Sequence, residues 1–261
     1  MSDGTTLYRG GTVYSDADAF ATAVLVADGV VAWLGDEAGA DVQARQGDQS
    51  NADGALVVDL DGAFLAPAFV DAVGGSGAGA DELARLGVVA SWDDAGRNPQ
   101  ARVIRSAAEL DALDLGALAC LDPTELAGVD LAAHAATGLP LALGFATTAE
   151  GGPWRRVQHA LAGGLSARAG FVAHTRGAWR ASARPDGHAL GRLHIGAPAT
   201  FAVWDADELV MQAADARRSS WSLDSRAGVP PLPRLAPVDD VGWQPPRCVL
   251  TVSDGVVLHR A

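Results

Sequence analysis

The sequence predicts an α/β chain with additional β structure at both ends, and three observations carry that prediction. Apolar runs separated by Asp-Gly pairs fill the first 62 residues. The same pattern returns near the C-terminus, in 199–204 and 247–259. Between the two, short apolar runs alternate with helix-like stretches, as parallel βα units do.

Taken in order, Leu7 to Tyr14 reads as a short strand pair around Gly10 and Gly11. Ala21–Val26 and Val30–Gly35 flank Ala27-Asp28-Gly29, a hairpin signal, because the favoured two-residue turn needs left-handed backbone that Asp and Gly tolerate. Residues 36–54 are polar and form a loop or short helix. Leu56–Leu60 is a strand turned by Asp61-Gly62. The middle supplies strands at 64–72, 87–92, 116–121 and 139–145. Helices are expected at 79–86, 106–113, 124–136, 153–163 and 166–181. Asp122 or Thr124 is placed to cap the third of these, and Ser166 opens the last. Ala199–Trp204 is a strand, and Arg247–Val252 and Val256–His259 make a second Asp-Gly hairpin. Residues 205–246 hold a helix-like stretch and then Pro230-Pro231-Leu232-Pro233, expected as extended surface loop.

Composition narrows the function classes. Of 261 residues 49% are apolar, enough to build a core. Net charge is −13, which repels phosphate backbones and anionic membranes, so nucleic acid and membrane surfaces are not expected partners. All 19 basic residues are arginine, so no lysine is present to carry a Schiff base, a carboxylate or a phosphate loop. Cys120 and Cys248 belong to no C-x-x-C pair and read as buried thiols of a reducing, cytoplasmic compartment. The sequence shows neither a signal-peptide pattern at its start nor an apolar run long enough to span a membrane.

Four segments, in order, resemble the amidohydrolase superfamily, in its amidohydrolase-3 branch. Tyr8-Arg9-Gly10-Gly11-Thr12-Val13 is similar to the family's opening strand, and Val26–Gly35 to its "vxdGrIvavG" hairpin. Leu193–Asp205 resembles "l.pGxpADlaVwD", and Thr251–Val257 resembles "tvvdGkvV". The resemblance implies a composite β-sandwich built from 1–63 and 192–261, flanking a TIM-like barrel in 64–191. That insert is only 128 residues long, against ~250 for a full (β/α)8 barrel. The expected architecture is therefore an incomplete barrel or a small open parallel sheet. A homodimer, or pairing with an intact homologue, would cover the exposed sheet edges.

The resemblance also implies a reaction, the metal-dependent hydrolysis of C–N bonds other than peptide bonds, with a divalent ion such as zinc. The residues present depart from it. Ala66-Pro67-Ala68-Phe69-Val70-Asp71-Ala72 resembles the first barrel strand, "PGFVDAHxH", yet Val73 and Gly75 stand at the two histidine places. Leu141-Ala142-Leu143-Gly144 resembles "LALGSDSP", yet Ala146 stands at the Asp. No metal ligand set assembles at the family's positions, where a catalytic zinc needs about three protein ligands. The first expectation is accordingly an amidohydrolase-like chain that is catalytically degenerate.

Two alternatives use residues that remain. Asp71, the pair Asp93-Asp94, Asp122 and His134 could form a rebuilt carboxylate/histidine hydrolase site. Against this, Asp71 also suits a strand-end cap, Asp93-Asp94 a solvated turn before Gly96, and each histidine a packing role. His174, in Ala173–Trp179, resembles the family's "AHTRGGW" packing helix. The second alternative is a dinucleotide loop: Gly75, Gly77 and Ala80 fit G-x-G-x-x-A between a strand and a helix, with Asp93 at the end of the next strand. Asp81 and Glu82 in the first helical turn oppose phosphate there. Gly74–Ala78 nearly matches the nucleophile elbow G-x-S-x-G, without a supporting acid–histidine order.

Overall fold

The computed structural model describes residues 4–50, 55–114, 116–149, 151–211 and 229–261. The chain is mixed α/β with several sheets, and none of these closes into a barrel among the described residues. It divides into two compact units. The first comprises Met1–Pro67, Arg192–Arg234 and Arg247–Ala261; the second comprises Ala68–Gly191 and Leu235–Pro246.

The first unit is built on two larger sheets. Strands β1 (Thr6–Arg9), β3 (Ala23–Ala27), β4 (Val30–Gly35) and β5 (Leu56–Asp59) form one, ordered β4-β3-β1-β5. Strands β2 (Thr12–Val13), β6 (Phe64–Pro67), β12 (Phe201–Asp205), β15 (Arg247–Ser253) and β16 (Val256–Arg260) form the other, ordered β16-β15-β12-β6-β2. Period-two alternation gives each sheet one apolar face. Tyr8, Val24, Val26 and Val31 of the first meet Leu65, Phe201, Val203 and Val252 of the second in one buried cluster. Asp28-Gly29, Asp61-Gly62 and Asp254-Gly255 all have positive φ at both residues, the backbone of the type I′ turn that the sequence signals. The expected pair around Gly10 is corrected: β1 pairs with β3 and β5, while β2 pairs with β6, so the chain changes sheet at that glycine. Helix α1 (Glu37–Ser50) takes most of the polar stretch 36–54. Strands β13 (Leu209–Val210) and β14 (Leu232–Pro233) pair, and Pro230, Leu232 and Pro233 are buried. That corrects the surface loop expected there: the prolines serve an edge pair that needs few N–H donors. The helix-like stretch expected nearby falls in 212–228, outside the described residues.

The second unit holds five parallel strands among its described residues. Strands β7 (Phe69–Asp71) and β8 (Val88–Ser91) form one pair, and β9 (Ala101–Ile104), β10 (Leu118–Leu121) and β11 (Leu141–Leu143) form a sheet ordered β11-β10-β9. The strand expected over 64–72 is two strands. Pro67 ends β6, where the lack of an N–H stops the ladder, and Phe69 N donates instead to Gly87 O as β7 begins. The sheet is covered on both faces, as parallel sheets are. Leu118 and Cys120 of β10 face a cluster with Trp179, Ala178 and Ala142. Ala119 and Leu121 face Leu110, Leu131 and Ala160.

The helices are α2 (Ala80–Arg85), α3 (Ala107–Asp111), α4 (Leu131–Ala136), α5 (Pro153–Ala162), α6 (Ala167–Val172) and α7 (Ala178–Arg180). A π-helical turn, Ala173–Gly177, joins the last two. The helix expected over 124–136 starts only at Leu131. Gly128 has φ +84°, which interrupts helical backbone, and Asp130 is the cap, accepting from Ala133 N at 2.8 Å. No helix among the described residues is long and apolar enough to cross a membrane.

Candidate functional site

In a parallel sheet chemistry gathers at the C-terminal ends of the strands, where loops converge. Here the two buried carboxylates of the described residues, Asp71 and Asp122, stand at such ends. Asp71 ends β7 and Asp122 follows β10 directly. The turn after β11 lies between them in the hydrogen-bond network.

Asp71 is fully engaged. Its Oδ1 accepts from Val73 N and Gly74 N, both at 3.0 Å, and from Phe145 N at 2.8 Å. Its Oδ2 accepts from Ser91 Oγ at 2.7 Å, which ties β7 to β8. Gly144 allows this approach: a Cβ there would stand 2.4 Å from Asp71 Oδ1 and 2.4 Å from Val73 N.

Asp122 is engaged as completely. Its Oδ1 accepts from Thr124 N at 3.0 Å and Thr124 Oγ1 at 2.8 Å. Its Oδ2 accepts from Ala146 N at 2.8 Å and pairs with Arg156 Nη2 at 3.1 Å. Arg156, on α5, is itself buried. It donates to Gly151 O at 2.6 Å and to Thr147 O, and its guanidinium lies 4.9 Å from the Phe145 ring centroid. A second guanidinium, Arg97, donates to the carbonyls of Ala72, Val73 and Trp92 and so caps the end of β7.

His174, on the π-helical turn, is buried between the rings of Phe69 (5.0 Å) and Phe145 (5.1 Å). Its Nδ1 faces Val70 O at 3.0 Å, which a neutral ring satisfies by donating. Burial pushes its pKa down to about 4, outweighing the pull of Asp71 in the other direction. Burial also raises the Cys120 thiol to about 11, which makes it an unreactive core residue.

The remaining candidates take no part in the contacts given above for Asp71 and Asp122. Asp93 and Asp94 are exposed in the turn after β8; Asp93 Oδ1 accepts from Gly96 N at 2.8 Å, and Asp94 sits 3.9 Å from Arg97. His134, on α4, pairs at 3.4 Å with Asp111 of α3. Gly75 and Gly77 have positive φ and open space around them, and with Ala80 they do connect a strand, a turn and a helix followed by a parallel strand. That helix, α2, has only six residues, with Asp81 and Glu82 in its first turn, and Glu82 accepts from Thr148 Oγ1 at 2.9 Å. Ser76 accepts from Ala78 N, a local turn contact. Sequence reasoning missed Arg97, Arg156 and Ser91. An arginine within Trp154-Arg155-Arg156 carries no mark of which guanidinium will be buried.

A metal fits this arrangement poorly. The partners of the two carboxylates described above are N–H and O–H donors, Arg156 places its charge beside Asp122, and Val73, Gly75 and Ala146 offer no side-chain ligand. No group of three His, Cys, Asp or Glu side chains is placed to hold an ion among the described residues.

The fold has counterparts among solved structures. The chain is similar to an enamidase described as a member of the amidohydrolase superfamily, at TM-score 0.54 and 13% identity over 98% of this chain and 96% of that one. It is similar to an amidohydrolase from Thermotoga maritima, at TM-score 0.54 and 13% identity over 98% and 100%. An atrazine chlorohydrolase variant from Arthrobacter aurescens, solved with zinc and atraton, matches at TM-score 0.57 and 13% identity over 98% and 95%. These structures share the fold. No family profile and no curated protein matches the sequence.

Proposed function

We propose that this chain is an amidohydrolase-like protein whose hydrolytic metal centre has been replaced by an internal Asp–Arg network. In this reading its two β sheets form the composite β-sandwich and its five parallel strands an incomplete barrel. The observation that carries the proposal is the saturation of Asp71 and Asp122 by backbone N–H groups, Ser91, Thr124 and Arg156. Each carboxylate has about four lone-pair sites, and four or more donors on each leave little room for a metal ion or for a proton from water. Arg156 supplies as a fixed guanidinium the positive charge that a divalent ion supplies in a hydrolase. The role left to such a scaffold is binding, as a cytoplasmic homodimer or as the partner of an intact homologue.

Elemental analysis of the purified chain tests this directly. The expected result is well under stoichiometric zinc, iron or manganese, and no hydrolysis of amide or ester substrates. One metal per chain, together with chelator-sensitive hydrolysis lost in Asp71→Asn, would overturn it.

A further inference from the structure

The second unit includes a detour of the chain, Leu235–Pro246, that lies in sequence between two segments of the first. This strap is loop backbone with turns at 238–239 and 241–242, and Pro237 and Pro245 bias the residues before them toward extended backbone. Its two ends are seated and its middle is not. Ala236 and Trp243 are buried, whereas residues 237–242 are all exposed, Val241 to 95%.

The seat is one face of α5. Gln158, itself 1% exposed, donates from Nε2 to Ala236 O at 2.9 Å and to Pro237 O at 3.0 Å. Its Oε1 accepts from Arg155 Nη1 at 3.1 Å, which fixes the orientation of the amide. Arg155 also donates from Nη2 to Trp243 O at 3.3 Å, and its guanidinium lies 4.9 Å from the Trp243 ring centroid. Residues 155 and 158 are three apart on the helix, so they share a face. What they hold is main-chain carbonyl oxygen and one indole ring. Carbonyls are common to every peptide, so this face reads extended backbone and an aromatic anchor. Side-chain bonds to loop carbonyls are individually modest, and a loop held by them opens while a packed sheet stays folded.

We propose that Leu235–Pro246 is a displaceable strap, and that the α5 face under it binds an extended, proline-containing peptide through Gln158 and Arg155. The chain supplies that peptide itself, at an effective concentration on the order of millimolar, so the face is self-occupied until the strap lifts. Arg156, which pairs with Asp122, lies about 100° round the helix from Arg155 and about 160° from Gln158. The strap and the Asp–Arg network therefore use different sides of α5, and the proposal stands or falls independently of the reading of that network.

Titration of the full chain with a fluorescently labelled peptide of the 235–246 sequence, read by anisotropy, tests the proposal. Trp243→Ala weakens the chain's own strap and leaves the seat intact. The expected result is saturable binding to the Trp243→Ala chain, and binding about tenfold weaker or more to the parent, whose strap competes. Adding Gln158→Leu to Trp243→Ala should weaken the peptide by about tenfold or more, because two hydrogen bonds to it are lost. Absent binding to the Trp243→Ala chain, equal binding to the parent, or binding unaltered by Gln158→Leu would each overturn the proposal. Solvent exchange in the parent, followed by NMR, keeps it falsifiable if the variants do not fold. The Gln158 side-chain amide should be protected at least about tenfold less than the Ala119 amide, which donates to Pro140 O in the sheet. Equal protection would mean that the strap lifts only when the whole unit unfolds, and would overturn the proposal.

Discussion

The His174 ring lies wholly inside the second unit, and the fold holds it neutral. An unfolded chain takes up a proton at this ring near its ordinary value of 6.5, whereas the folded chain does so only near 4. Between those values the unfolded state binds more protons, so stability rises with pH across the window. The stabilisation is fully present above about 6.5 and is lost as pH falls through about 4. The shift corresponds to something on the order of 3 kcal/mol. Urea unfolding followed from pH 7.5 down to 4 should show this loss, and His174→Gln should flatten it while keeping a donor for Val70 O. An identical pH slope in the variant would assign the loss to the carboxylates instead.

At the scale of elements, the Asp122–Arg156 pair joins the end of β10 to α5 and to the turn after β11. Both partners are buried, so removing one strands the other charge, a loss of about 3–5 kcal/mol. Asp122→Ala should therefore lower unfolding stability by that amount. Asp122→Ala with Arg156→Met should recover most of it, because no unpaired guanidinium remains. A double variant as unstable as the single one would show that the backbone bonds of Asp122, not its charge, carry the effect. The sequence announced the elements better than it announced this tie. The three Asp-Gly turns and Ser166 were legible because their chemistry is local: each depends on residues within one turn. The start of α4 was misplaced because Gly128 interrupts an otherwise helical composition. Strand β9 was missed because exposed Arg102 breaks its short apolar run. Asp71 and Asp122 were legible as candidates from their strand-end positions. Their saturation was not, since Phe145 N and Arg156 reach them from 74 and 34 residues away.

For the whole molecule, sheet edges and charge work against each other. A net charge of −13 opposes association of copies, yet among the described residues β16 ends its sheet, with Val256, Val257 and Leu258 all exposed. A strand with apolar residues exposed on both faces and one unpaired edge is a template for another strand. The proposed homodimer would pair β16 with its own copy, since a two-fold contact brings the same strand together antiparallel. β16 carries no acidic side chain and includes Arg260, so this edge is also spared the general acidity. Light scattering on the eluting chain should then give a mass near twice 26.6 kDa, falling toward one copy on dilution. Val257→Lys should give the single-copy mass at every concentration. Its melting temperature should match that of the diluted parent, because the replaced side chain is exposed in the single copy. A parent chain that stays at single-copy mass at high concentration would remove the homodimer and leave an intact homologue as the proposed partner.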